Sequence, residues 1–159
     1  MAIRTSVEID APRDLVFEII TAYGSDSKLR TVPHLKAQRV LERHGNVVVC
    51  ENQWEVNGRT LRQVRRYSLF PPDRIEEELL EAPGPVRVRT TITLTELPGE
   101  RTLMTHEDEY TFKGLWKLVG WLLRAQFARM ARQSLDEQKV AIEAEIVEEE
   151  GEDEASPGT

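Results

Sequence analysis

The sequence predicts one α+β domain, a seven-stranded curved antiparallel sheet wrapped around a long C-terminal helix, with two short helices after strand 1. Three observations carry this reading. Turn signals divide residues 35–112 into six consecutive strand-length runs. A short alternating run with a helix start behind it precedes them, and a helix-period segment of roughly thirty residues follows.

The alternating run is Ile3 to Ile9, with Ile3, Val7 and Ile9 on one face and Arg4 and Glu8 on the other. Asp10-Ala11-Pro12 reads as a helix start, with Asp10 able to cap and Pro12 suited to an early helical position. Leu15, Val16, Ile19 and Ile20 recur at helical spacing, and Gly24 is the expected stop. Ser25 to Arg30 forms a second short helical turn before Pro33. The six further strands are Leu35–Arg43, Val47–Val56, Arg59–Phe70, Arg74–Glu81, Val86–Leu97 and Arg101–Phe112. Asn57-Gly58 is a strong type I′ hairpin signal, because both residues tolerate positive φ. Connections this short fit an antiparallel meander.

From Gly114 to about Val147 the pattern is helical throughout. Trp116, Val119, Leu123, Phe127, Met130, Ser134 and Ala141 fall on one stripe, with Arg129, Arg132, Asp136 and Glu143 opposite. Leu115, Leu118, Trp121 and Leu122 lie off the stripe, so Leu115–Leu123 is apolar almost all round. That segment has four readings: packing against the sheet and first helix, lining a cavity mouth, a homodimer contact, or a peripheral membrane contact through Trp116, Trp121, Lys117 and Arg124. The domain is expected to span residues 1–147, and the acidic run 148–159 to be a disordered tail.

A net charge of −7 conceals a near-neutral body, since six acidic residues between Glu148 and Glu154 leave about −1 for the rest. No basic face is available for phosphates, which argues against nucleic acid as a partner. A lone cysteine, Cys50, precludes an internal disulfide. The N-terminus lacks a signal-peptide core, and no run is long enough to span a bilayer, so a cytoplasmic location is expected. Nothing in the spacing calls for a cofactor or metal.

The segment Val7-Glu8-Ile9-Asp10-Ala11-Pro12, with Asp14-Leu15-Val16-Phe17-Glu18 behind it, resembles the opening of the START-like, birch-pollen-allergen-like (SRPBCC) superfamily. Arg101-Thr102-Leu103-Met104-Thr105 is similar to that group's entry into its last strand. The likeness covers about residues 2–147 and is most like the polyketide cyclase/dehydrase and lipid-transport group. It implies a helix-grip fold with a cavity between sheet and C-terminal helix. It implies activities that range from lipid or hormone carriage to polyketide cyclisation, dehydration and chaperone cooperation.

Alternation proposes which side chains face that cavity. Val48, Cys50, Asn52, Trp54 and Val56 share a face, as do Leu61, Gln63, Arg65, Tyr67 and Leu69. Ile75, Glu77 and Leu79 follow, then Val86, Val88, Thr90, Ile92 and Leu94, and finally Met104, His106, Asp108, Tyr110 and Phe112. The expected ligand-binding set is Asn52, Trp54, Arg65, Tyr67, Glu77, Thr90, Met104 and Tyr110 from the sheet, with Trp116, Val119, Leu123 and Phe127 from the helix. Such a lining suits a small hydrophobic or amphipathic molecule. His106 and Asp108, two apart on a strand, form the sharpest catalytic pair, since a carboxylate orients an imidazole for proton transfer. The plainer alternative is an exposed charged run, His106-Glu107-Asp108-Glu109. Arg65 with Glu77 is either a polar ligand contact or a cross-strand ion pair. The leading expectation is binding or carriage of a ligand; a cyclase or dehydratase acting in the same cavity is the alternative.

Overall fold

The computed structural model describes residues 1–155. Strand β1 (Ala2–Ile9) leads through helices α1 (Arg13–Ile20) and α2 (Asp26–Thr31) into β2 (Leu35–His44), β3 (Val47–Val56), β4 (Arg59–Phe70), β5 (Arg74–Glu81), β6 (Val86–Leu97) and β7 (Arg101–Phe112). A short helix α3 (Trp116–Val119) and the long α4 (Arg124–Ala155) complete it. The strands form one curved antiparallel sheet in the order β1-β7-β6-β5-β4-β3-β2, so the six later strands run as a meander and β1 closes onto the last of them. Asn57 and Gly58 turn with φ of 50° and 74°, pairing Val56 with Arg59 across the two-residue loop that their sequence predicts.

The main core lies where α1 and α4 cover the sheet. Val16, Ile19 and Ile20 meet Val7, Ile9, Ile75, Ile92, Leu94 and Met104 on the concave face, and Leu135, Ile142 and Ile146 close over them from α4. The helix is fixed laterally by Arg30 of α2, whose Nε and Nη2 donate to the two carboxylate oxygens of Glu145 at 2.9 and 2.7 Å. A bidentate fork of this kind sets orientation as well as proximity. A second cluster, Tyr23, Val48, Cys50 and Tyr67, fills the β3–β4 side, where the Tyr23 and Tyr67 rings stack 4.3 Å apart.

Four expectations need correction. Asp10 does not cap α1: Pro12 occupies the cap position, and the Asp10 backbone N–H reaches Glu143 instead. Helix α1 ends at Ile20, before Gly24, which at φ 77° turns the chain toward α2 and donates its N–H to Gln38. The C-terminal helix is not continuous from Gly114. Gly120 lies against the Phe112 ring so closely that a Cβ would meet it at 2.8 Å, and the chain turns there before α4 begins. The residues beyond Glu148, expected to be structureless, continue α4 to Ala155; residues 156–159 lie outside the described part. Glutamate is a good helix former, and extending a docked helix avoids the cost of a new nucleus.

Ile142 is fully buried at the centre of the helix–sheet contact. Ile142→Ala is expected to lower unfolding free energy by about 2–5 kcal/mol in urea titrations, as a cavity-forming core truncation does.

Candidate functional site

Between the N-terminal half of α4 and the middle of the sheet lies a cavity of about 480 Å³. This volume falls in the range of small-molecule sites. It arises because α4 meets the core through its later turns, leaving Phe127, Met130, Ala131, Ser134 and Gln138 over the open part of the sheet. Leu135 belongs to both, marking where core becomes cavity.

Of the residues singled out from sequence, Trp54, Arg65, Tyr67, Glu77, Thr90, His106, Asp108, Tyr110 and Phe127 all line this space. All but Phe127, which α4 contributes, come from the alternating faces of β3 to β7. Asn52 and Met104 do not line it, although both are fully buried on the same face. Met104 is consumed by the core under α1 and α4. Asn52 acts behind the wall, donating to Tyr67 Oη at 2.8 Å and accepting from Gln38 at 3.0 Å. It thereby holds two residues that do face the cavity. Trp116, Val119 and Leu123 are absent from the lining, because the helix is interrupted between Val119 and Arg124 and their segment leaves the helical stripe.

Arg65 is tied on three sides. Its guanidinium donates to Glu77 at 3.1 Å and to Gln63 at 3.2 Å, and it sits 5.6 Å from the Trp54 ring centroid. The cross-strand ion pair is therefore made inside the cavity wall, with both side chains largely withdrawn from solvent. The pair is diagonal on one face, since Glu77 stands opposite Tyr67 in the register.

His106 and Asp108 are not the exposed charged run of the plainer alternative. Burial pushes the His106 imidazole below its ordinary value, with Glu77 and Asp108 opposing that shift. Burial likewise pushes the Asp108 carboxyl upward, offset by a 2.6 Å hydrogen bond from Thr90 Oγ1. No hydrogen bond joins the two among the described residues; Asp108 is oriented by Thr90 on β6, not by the imidazole. Two wall nitrogens, Trp54 Nε1 and His106 Nε2, are buried without a partner, an uncommon state for polar atoms. Tyr110, pushed up to about 12 by burial, keeps its phenol protonated. Cys50, pushed up to about 11, stays a thiol and lacks the thiolate needed for nucleophilic chemistry.

Sequence reasoning missed the contribution of the connection from α1 to β2. Ile20, Lys28, Val32, Pro33, His34, Leu35 and Gln38 line the cavity from that side. Lys28 stands out, with only 6% of its surface exposed. Ser25 caps α2 by accepting from the Lys28 backbone N–H at 3.2 Å, which sets the helix start and hence the side-chain direction. The ammonium donates to the Ile20 carbonyl and lies 4.8 Å from the Tyr23 ring centroid. A six-residue helix carries too few turns for its inner face to show in the pattern.

The apolar segment before α4 is displayed to solvent. Leu115, Leu118 and Trp121 are 81%, 71% and 72% exposed. Packing of this segment, the plainest of the four readings, is confined to a small contact of α3 and Gly120 with β7 and leaves most of its apolar surface exposed.

The fold and cavity now have a context among known proteins. Residues 9–139 match the family model described as polyketide cyclase/dehydrase and lipid transport. The chain belongs to this family. Comparison with curated proteins yields no match. Among solved structures, the Zhui aromatase/cyclase from Streptomyces sp. R1128 is 21% identical with a TM-score of 0.68, covering 94% of this chain and 92% of its own. A START superfamily protein from Mycobacterium smegmatis gives 14% and 0.71, with 92% and 97% covered. Ara h 8.0201 gives 13% and 0.68, with 93% and 98% covered. At these identities the likeness establishes the helix-grip fold of the family and leaves its use to be argued from the residues.

The His106 shift makes a prediction with a definite sign. A folded-state value below the unfolded one means that the unfolded chain binds more protons in that window, so stability falls as pH drops through it. Unfolding midpoints measured from pH 7.5 down to 5 should decline in the native protein, and His106→Leu should flatten that part of the decline.

Proposed function

We propose that this protein binds and carries a small amphipathic molecule in the cavity between the sheet and α4. One observation carries the reading: a cavity of about 480 Å³ whose aromatic and aliphatic wall also holds Arg65, Glu77, His106, Asp108 and Lys28. Apolar walls supply affinity and a few placed polar groups supply orientation, the usual division in small-molecule sites. Family membership supports the reading at the level of ligand-binding and cyclase/dehydrase chemistry. The ligand-binding set is Trp54, Arg65, Tyr67, Glu77, Thr90, Tyr110 and Phe127, all of which line the cavity. A cytoplasmic setting is part of this reading, consistent with the free, buried Cys50 thiol. No described helix is long and apolar enough to cross a membrane.

A second reading, proton-transfer chemistry of a cyclase or dehydratase, is favoured by one specific arrangement. A neutral imidazole and a carboxyl with raised proton affinity stand on one strand face in the cavity wall. The two readings separate cleanly. Native mass spectrometry of freshly purified protein should reveal a co-purifying molecule, and a protein that is empty and also binds no lipid or aromatic library member would sink both. Given a bound molecule, His106→Ala and Asp108→Asn leave uptake intact in a carrier, whereas in an enzyme they abolish turnover while uptake persists.

For Leu115–Leu123 the reading is a peripheral contact with an anionic membrane surface, in preference to a homodimer. Exposed Leu115, Leu118, Trp121 and Leu122 are interspersed and flanked by exposed Lys113, Lys117 and Arg124, and residues 110–135 contain no Asp or Glu. Apolar side chains among cations are what an anionic lipid interface accepts. The acidic end of α4 does not oppose this: from Arg124 to Glu148 the helix advances about 36 Å, several screening lengths away. Vesicles containing phosphatidylserine should co-sediment the protein in a salt-sensitive manner, and Trp121→Glu should abolish co-sedimentation. A Trp121-dependent dimer in light scattering, without vesicle binding, would assign the patch to a second copy instead.

A further inference from the structure

Resting on the carrier reading, we propose that Lys28 is the anchor for an anionic group of the ligand, so that the cavity prefers amphipathic monoanions, carboxylates or sulfonates on an apolar body, over neutral molecules of the same shape. The argument begins with the charges around the cavity. Arg65 and Glu77 pair across 3.1 Å, and Glu77 also acts at longer range on Lys28. The carboxylate of Asp108 is engaged by Thr90, and His106 is held neutral by burial. At the rim, His34 and Glu137 approach to 3.8 Å. Lys28 differs from all of these. It is the buried cation of the cavity wall, and no described carboxylate lies within ion-pair distance of it.

Its hydrogen bonding is also incomplete. An ammonium has three N–H donors, and the Ile20 carbonyl takes one. The Tyr23 ring offers its face, which attracts a cation without accepting a full hydrogen bond. Burying such a group carries a penalty that a pairing anion offsets, and burial lowers the amine to about 8 against an opposing pull from Glu77, so it remains mostly protonated at neutral pH. Position favours a ligand as the source of that anion. Lys28 lies on the α2 side of the cavity, while Met130 and Ser134 of α4 stand over the same space. A ligand with its charged group at Lys28 shares the cavity with the Trp54 and Phe127 rings, which line the same space.

The test uses two fluorescent probes that differ by one sulfonate: anilinonaphthalene sulfonate and the neutral phenyl-naphthylamine. The quantity read is the ratio of their Kd values on the full chain. Native protein should prefer the anionic probe, and Lys28→Met should collapse that preference by about tenfold to a hundredfold, the loss of one charge-assisted contact. Methionine replaces a buried charge with an apolar chain of similar length, so folding is expected to persist. Lys28→Gln, which keeps donors without charge, is the second variant, and it should lose the preference too. A preference that survives both substitutions overturns the proposal and moves the anion to Arg65. Equal affinity of native protein for the two probes also overturns it, leaving the carrier reading standing. Uptake of neither probe by native protein overturns both.

Discussion

The docking of α4 through Leu135, Ile142 and Ile146 is the contact on which the rest depends. A curved sheet has a concave face that must be covered, and one helix is too narrow to cover all of it. By committing its later turns to β1, α1 and the β5–β7 side of the sheet, α4 closes the core at one end and leaves its earlier turns standing over unfilled space. The Arg30–Glu145 fork adds direction to that contact, holding α2 against α4 and so placing the α2 side of the cavity. Core and cavity are two consequences of the same helix.

Inside the cavity the polar groups fall into two populations. Some are fully engaged by neighbours: Arg65 with Glu77 and Gln63, Asp108 with Thr90, Asn52 with Tyr67 and Gln38. These pairs stiffen the wall at little electrostatic cost. Others, Trp54 Nε1, His106 Nε2 and the remaining donors of Lys28, lack partners within the described chain. Unmet hydrogen-bonding capacity in a cavity wall is a feature that core packing alone does not require.

Much of the fold was legible because its signals are local. Asn57-Gly58 demands two positive φ values, and Gly-containing or Pro-containing breaks set the other strand ends. Once register is pinned by such turns, alternation places Trp54, Arg65, Tyr67, Glu77, Thr90, His106, Asp108 and Tyr110 on one face. The C-terminal third was harder. A helical wheel assumes one axis, and the helix is interrupted between Val119 and Arg124, so Trp116, Val119 and Leu123 do not line the cavity. The wheel also could not tell that Leu135, Ile142 and Ile146 would carry the docking.

By itself, then, the sequence determined the strand order of the meander, the two-residue hairpin and the inward face of each central strand, because period-two alternation and turn chemistry act between near neighbours. Only the tertiary structure decided where the inward face stops being core and becomes cavity. Met104 and His106 are indistinguishable by alternation, yet one lies under α1 and α4 and the other faces open space. The same holds for Lys28, which shares the cavity with sheet residues as far as Tyr110, 82 positions away along the chain. Such contacts are set by how separated elements pack, a property no short window of residues encodes.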